Sequence, residues 1–356
     1  MFDLTNTLEI PPFSLNKNAK LELYSEAVQS LTRFHFENCQ PYQKILNKIG
    51  FVLDKSHRLE EYPFLPVRLF KENELVSVDR SKIVKTMTSS GTTGQSVSRI
   101  FLDRATASNQ TKALAKIASS FIGTKRLPLL IIDNKSVVKN RNSYSARAAG
   151  ILGFSMFGRD VTYALDEEMR LDFDAVESFC EKHRNEDILL FGFTYIVWKY
   201  LFKPLRESGE TLALENATLL HGGGWKKLFE EAVDNREFNK SLKNVCGIQK
   251  VHNYYGMVEQ TGSIFMECEL GFLHCSILSN IITRRADFTE CAFGETGIVE
   301  LLSLLPQSYP GHIILTEDEG EIIGEDDCPC GRLGKYFKIY GRIKNAEIRG
   351  CSDIYT

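Results

Sequence analysis

The chain has 356 residues, 43% of them hydrophobic and 25% charged, with a formal net charge of −3. At about 100–200 residues per domain this length suits two domains or lobes around a large core, and the composition excludes disordered, collagenous and low-complexity classes. The near balance of 43 basic and 46 acidic residues gives no ground for a nucleic-acid partner or a membrane-surface role.

The longest uncharged apolar run, Ile188 to Trp198, is 11 residues, against the ~20 that span a bilayer. Met1 to Asn6 has neither a basic segment nor an apolar one, so no secretory leader is expected. Nine cysteines, an odd number without dense spacing, fit reduced thiols in a cytoplasmic protein, with metal or catalytic roles open to some of them.

In chain order, Leu21, Leu23, Tyr24, Ala27, Leu31 and Phe34 recur at helical spacing and predict helices over 20–50. Pro63 and Pro66 then punctuate the chain. Lys112 to Phe121 reads as a helix, and Leu127 to Ile132 as a buried strand closed by Asp133-Asn134. Leu171 to His183 is an amphipathic helix, and Asp187 to Phe193 a strand running into a helix through Leu201. Ala217 to Leu220 is a short strand, and Val251 to Tyr255 another. From about residue 270 the pattern turns to hairpins: Leu273 to Ile282, Gly297 to Leu305 and Gly311 to Ile323. Alternation followed by hairpins predicts an α/β core over 1–270, a β-rich subdomain over 271–340 and a tail over 341–356. The acidic stretch Glu317 to Asp327 reads as a solvated hairpin.

Chemistry concentrates where apolar runs stop at glycines. Ser89-Ser90-Gly91-Thr92-Thr93-Gly94 offers backbone N–H groups and hydroxyls that can converge on an anion. It lacks the Gly-x4-Gly-Lys-Ser/Thr of the common nucleotide loop, and a plain surface loop would share its composition. His221-Gly222-Gly223-Gly224-Trp225 allows close approach of a flat ring or a phosphate, with Trp225 closing one side, or is a plain strand-to-helix turn. In Tyr255-Gly256-Met257-Val258-Glu259 an aromatic and a carboxylate are spaced to stack on a base and hold Mg2+ beside phosphates. Asp318, in Leu315-Thr316-Glu317-Asp318, can accept from ribose hydroxyls; taken singly, each of these last three segments is as readily structural as functional. His252 reads as a core histidine.

Taken in order, these segments resemble the adenylate-forming superfamily of acyl and aryl ligases. The resemblance implies a mixed α/β large domain with a β-rich subdomain, and it distributes the roles. Ser89 to Gly94 matches the phosphate loop, Gly222 to Gly224 the adenine-side loop, and Tyr255-Gly256-x-x-Glu259 the motif whose Glu holds Mg2+. Asp318 matches the ribose-binding Asp, and Gly341-Arg342-Ile343-Lys344 the hinge whose Arg approaches the nucleotide. That superfamily has a further small domain carrying a catalytic lysine. Here 14 residues follow Arg342, so any such role falls to another residue, with Lys226 and Lys227 as candidates, or is absent. Within the superfamily the chain is similar to the LuxE-like acyl-protein synthetases, near phenylacetate–CoA ligase, on the strength of His221 to Lys226, Ser308-Tyr309-Pro310 and Gly350-Cys351-Ser352. In those enzymes a cysteine near the C-terminus accepts the acyl group, which assigns the acceptor to Cys351. Arg349 beside it favours a thiolate.

Cys268, His274, Cys328 and Cys330 are three thiols and an imidazole, a complete tetrahedral Zn2+ set of the structural kind. Cys275 is either a ligand or a bystander. Comparable Cys-x-Cys-Gly-Arg segments occur in phenylacetate–CoA ligase-like proteins, some with zinc. Cys39, Cys180, Cys246 and Cys291 read as small buried hydrophobes.

The function expected is ATP-dependent activation of a carboxylic acid, by the resemblance a fatty acid, with transfer to Cys351 and on to a partner such as an acyl reductase or carrier. Two other readings stay open: transfer to coenzyme A or a carrier thiol, and a nucleotide-binding scaffold without turnover. Phe191, Phe193, Tyr195 and Trp198 read either as a pocket lining or as core.

Overall fold

Ile188–Phe193 is a strand in which all six residues are buried, the pattern of a parallel strand covered on both faces. In the computed structural model, which describes residues 2–89, 97–138, 146–225 and 231–343, it sits at the centre of a parallel sheet. The strand order is Gly158–Leu165, Leu127–Asn134, Ile188–Phe193, Ala217–Gly222, Lys250–Tyr255. Helices connect the strands, and side chains fix where they begin. Asp172 accepts from the Ala175 N–H to start Phe173–Lys182, and Asp234 accepts from the Glu237 N–H to start Asn235–Cys246. Gly209 and Gly247 end two helices at φ +74° and +72°, left-handed positions that suit glycine. This unit spans 118–255 and 266–271.

The other compact unit is built from residues 2–117, 256–265 and 272–343. Its sheet is antiparallel, in the order Ser279–Arg284, Thr296–Ser303, Ile313–Glu325, Lys335–Arg342, Leu273–His274. A separate hairpin pairs Ile83–Thr88 with Arg99–Asp103. The long helix Lys17–Asn38 starts where Asn16 accepts from the Ala19 N–H, and it buries Tyr24, Ala27, Val28, Leu31 and His35 along one face. Tyr24, Ala27, Val28 and Leu31 join Leu4, Leu8, Leu59, Ile282, Leu302 and Leu305 in one cluster. At ~1.5–3 kcal/mol per buried aliphatic side chain this cluster is a main source of the unit's stability, and Leu31→Ala, at a fully buried site, would cost about 2–5 kcal/mol.

Two residues differ from the sequence reading. Leu21 lies nearly half exposed rather than on the apolar face. The acidic stretch is one arm of a hairpin, because Ile313–Glu325 pairs with Lys335–Arg342. Within it Asp318 is buried rather than solvated. The expected hinge at Gly341-Arg342 is the end of that second strand. Among the described residues no helix is long and apolar enough to cross a membrane.

Candidate active site and thiol cluster

In the parallel unit, register brings Phe193, Gly222 and Tyr254 abreast on neighbouring strands, at the ends where open α/β sheets place their ligands. A Cβ on Gly222 would lie 2.5 Å from the Tyr254 ring, so glycine is required there by the neighbouring aromatic. Gly223 follows at φ +76°. The turn is tied from below by Thr194, whose hydroxyl donates to the Gly222 carbonyl (3.3 Å) and lies 2.9 Å from His221 Nδ1. With that proton committed to the carbonyl, Nδ1 carries the ring's own proton and donates to Thr194. Burial, reinforced by His252, lowers the His221 pKa to about 3, so the ring is neutral. Trp225 does not stand open to a ligand: it is buried against Trp198 and Phe238. Tyr255 is also buried, and the next residue, Gly256, belongs to the antiparallel unit. Phe191, Phe193 and Trp198 are buried, and Phe191 stacks on Phe154 with centroids 4.6 Å apart.

In the antiparallel unit, Ser89 closes the base of the loop expected to bind phosphates. Its N–H donates to the Ser98 carbonyl and its Oγ accepts from the Ser98 N–H (2.9 Å). Ser90, Gly91, Thr92, Thr93 and Gly94 lie outside the described residues, as do Lys226, Lys227 and Cys351. Glu259 is buried on the short turn Val258–Gln260. Asp318 and Arg342, read separately from two motifs, stand directly opposite each other on paired strands, with Arg342 Nε 4.0 Å from Asp318 Oδ1. Thr316 explains the Thr-x-Asp spacing. Its hydroxyl donates to the Val299 carbonyl (2.8 Å) and accepts from the Asp318 N–H (3.1 Å), which fixes the backbone that presents the carboxylate.

The ligand atoms of Cys268, His274, Cys328 and Cys330 all lie within 4.8 Å of one another. Cys330 Sγ is 3.4 Å from His274 Nε2. Burial raises the Cys330 thiol, but hydrogen bonds from Arg332 and Cys328 and the Arg332 charge outweigh it and hold the pKa below the usual thiol value. A tetrahedral ion at Zn–S about 2.3 Å separates its sulfurs by about 3.8 Å, so the donor set and its spacing fit Zn2+. Cys275 is not part of the set; it is buried, and its N–H donates to the Lys335 carbonyl. Cys39, Cys180, Cys246 and Cys291 are buried as expected. His252 is a core residue whose Nδ1 meets the Glu267 carbonyl at 2.9 Å and whose ring meets Phe121 edge-on.

Sequence reasoning missed Thr194 and gave no role to Gln260 or Tyr309. The only signal for the last two was position: Gln260 follows Glu259 directly, and Tyr309 sits in the Ser-Tyr-Pro segment.

A solved 2-hydroxyisobutyryl-CoA ligase superposes over 97% of this chain and 74% of its own, at a TM-score of 0.71 and 15% identity. A second structure of that ligase, in an open conformation, matches at 0.70 with 16% identity, covering 94% of this chain and 77% of its own. The fold is therefore that of the adenylate-forming ligases. The family model for acyl-protein synthetase, LuxE, matches residues 3–356. Long-chain-fatty-acid–luciferin-component ligases of Vibrio harveyi and Aliivibrio fischeri are 23% and 24% identical, each over 93% of this chain and over 86% and 87% of their own lengths. The chain belongs to the LuxE acyl-protein synthetase family, and it is a ligase that activates an acyl group at the expense of ATP.

Proposed function

We propose that the acid is a long-chain fatty acid, activated as its acyl-adenylate and passed through Cys351 to a partner such as an acyl reductase. A carboxylate oxygen attacks the α-phosphorus of ATP and pyrophosphate leaves; the Cys351 thiolate then attacks the acyl carbon and AMP leaves. The observation that carries the reading is the pairing of Asp318 with Arg342, two expected nucleotide contacts from separate motifs, on opposed strands. Asp318 would accept from ribose hydroxyls, with Arg342 approaching the same nucleotide. Gly222 to Gly224 and Tyr255-Gly256 would border the adenosine, and Ser89 to Gly94 the phosphates. Glu259 is the carboxylate suited to Mg2+, whose charge offsets that developing on the phosphates. Lys226 is the candidate for the superfamily's lysine. Cys268, His274, Cys328 and Cys330 would hold a structural Zn2+. With four protein ligands it has no open position for catalysis.

The test is acyl labelling with ATP, Mg2+ and labelled carboxylic acids of graded chain length, comparing wild type with Cys351→Ser on denaturing gels. Long-chain label that depends on ATP, is released by hydroxylamine and is absent from the variant is the expected result. Label retained by Cys351→Ser, or pyrophosphate release with no label until coenzyme A is added, overturns the acceptor assignment.

A further inference from the structure

The turn Val258–Gln260 is held on two sides by groups to which no motif assigns a role. Tyr309 is fully buried, and its hydroxyl donates to the Glu259 backbone carbonyl at 2.9 Å. Burial, and then the Glu259 charge, raise the phenol's pKa far above its ordinary value, so it remains a donor at any pH the protein tolerates. From the other side, Gln260 is 1% exposed and its Nε2 donates to two carbonyls, Leu301 (3.1 Å) and Gly311 (2.9 Å). Gly311 itself has no room for a side chain, since a Cβ there would lie 2.3 Å from the Tyr309 ring and 2.9 Å from the Glu259 carbonyl oxygen. A Cβ on Gly262, just past the turn, would lie 2.7 Å from the Gln110 backbone. The Glu259 carbonyl is therefore packed against Tyr309 and Gly311, and Gly262 just past the turn against Gln110, with no room for a side chain at either glycine. Three hydrogen bonds converge on two consecutive residues of this turn, one of them to Leu301 in the strand Thr296–Ser303.

We infer that Tyr309 and Gln260 are positioning residues for acyl activation, forming a latch that sets where the Glu259 carboxylate stands. The inference rests on the proposed role of Glu259 at Mg2+. Tyr309 and Gln260 each act through the backbone of the turn, where a displacement of a few tenths of an ångström is transmitted whole to a short side chain. A carboxylate that binds a small divalent ion tolerates little such displacement, because Mg2+ demands near-ideal geometry.

The experiment is fatty-acid-dependent ATP–pyrophosphate exchange, with hexadecanoate as probe, as a function of Mg2+ concentration. Tyr309→Phe removes one hydroxyl and keeps the ring. The expected outcome is a Mg2+ half-saturation raised about tenfold, the loss of one buried hydrogen bond to the turn, with KM for hexadecanoate within about twofold of wild type. Gln260→Asn, too short to reach either carbonyl, should move the Mg2+ dependence in the same direction, and it carries the comparison if Tyr309→Phe does not fold. A role confined to stability would lower Tm and leave Mg2+ half-saturation where it is, which overturns the inference. Glu259→Gln separates the two ideas. If it retains wild-type exchange, the role of Glu259 is wrong. If it is inactive while folded Tyr309→Phe has wild-type Mg2+ dependence, the latch alone is wrong.

Discussion

The imidazoles of His35 and His312 lie face to face in the antiparallel unit, centroids 4.9 Å apart and planes 29° from parallel. His35 Nε2 faces the Pro306 carbonyl at 3.2 Å, which can only accept, so Nε2 carries the proton and Nδ1 accepts from Ser77 Oγ at 2.7 Å. His312 Nε2 meets Thr32 Oγ1 at 3.0 Å, and Tyr42 closes the cluster edge-on to both rings. Every partner is neutral. Burial lowers the His35 pKa to about 3 and takes His312 well below its ordinary value.

The unfolded chain therefore binds protons below pH ~6.5 that the folded chain refuses, and stability falls as pH falls through that window by up to about 1.4 kcal/mol per pH unit for each ring. Thermal melts between pH 7 and 5 should show a steep loss of Tm. Because His221 is depressed in the same way, His312→Gln, which can still bond Thr32, should remove roughly a third of that slope. An unchanged slope would mean the acid sensitivity lies elsewhere.

Lys20 is a buried cation on the long helix, 3% exposed, and among the described residues its Nζ has no hydrogen-bond partner. Burial lowers its pKa to about 8, with Lys335 acting in the same direction. Below pH 8 the folded state bears the full cost of the charge, about 3 kcal/mol for a shift from 10.5 to about 8. Stability should therefore rise as pH increases from about 8 toward 10.5. Lys20→Met should be more stable than wild type at pH 7 and should lack that alkaline rise. A destabilised Lys20→Met would show that the ammonium makes a favourable interaction in solution.

The thiol cluster makes a spectroscopic prediction. Protein loaded with Co2+ in place of zinc should show thiolate charge-transfer absorption at one ion per chain, lost in Cys328→Ser and Cys330→Ser and retained in Cys275→Ser. A strong chelator should lower Tm and leave the Cys330→Ser variant unmoved. Metal content equal in wild type and Cys328→Ser would rule the site out.

Thr316→Val keeps the shape of the side chain but leaves the Val299 carbonyl and the Asp318 N–H without their partner. The strand segment that presents Asp318 then loosens, and KM for ATP should rise about tenfold, with Thr316→Ser restoring it. A rise in the KM for the acid instead would place Asp318 at a different substrate.

How much of this was legible in the sequence depended on whether local pattern and tertiary environment agreed. Ile188–Phe193 and Ala217–Gly222 are largely apolar runs, and they fold as the strands they spell. Gly158–Leu165 was not read, because an edge strand paired on one side keeps Arg159, Asp160 and Thr162. Lys335–Arg342 was hidden by its lysines, although its Lys335 is buried and donates to the Ile281 carbonyl. Cysteine spacing was sufficient for the thiol cluster, since ligand chemistry narrows which residues can meet. Asp318 and Arg342 were readable as motif residues, but their pairing is a matter of strand register. His35, Lys20 and Tyr309 could not be read at all: a polar residue on an apolar face acquires meaning only from partners tens to hundreds of positions away.

Phe193, Gly222 and Tyr254 form a row because three parallel strands share one register, and nothing in that register depends on the path the chain takes between them. The helical crossovers can therefore lengthen, shorten or be cut and rejoined elsewhere while the row stays in place. A circularly permuted chain opened at exposed Ser208 or Gly209, on the 194–217 crossover, should still assemble the same three neighbours. Relatives sharing less than a quarter of their residues can on this account diverge freely in their crossovers, because the geometry is stored in the sheet and not in the order in which the chain visits it.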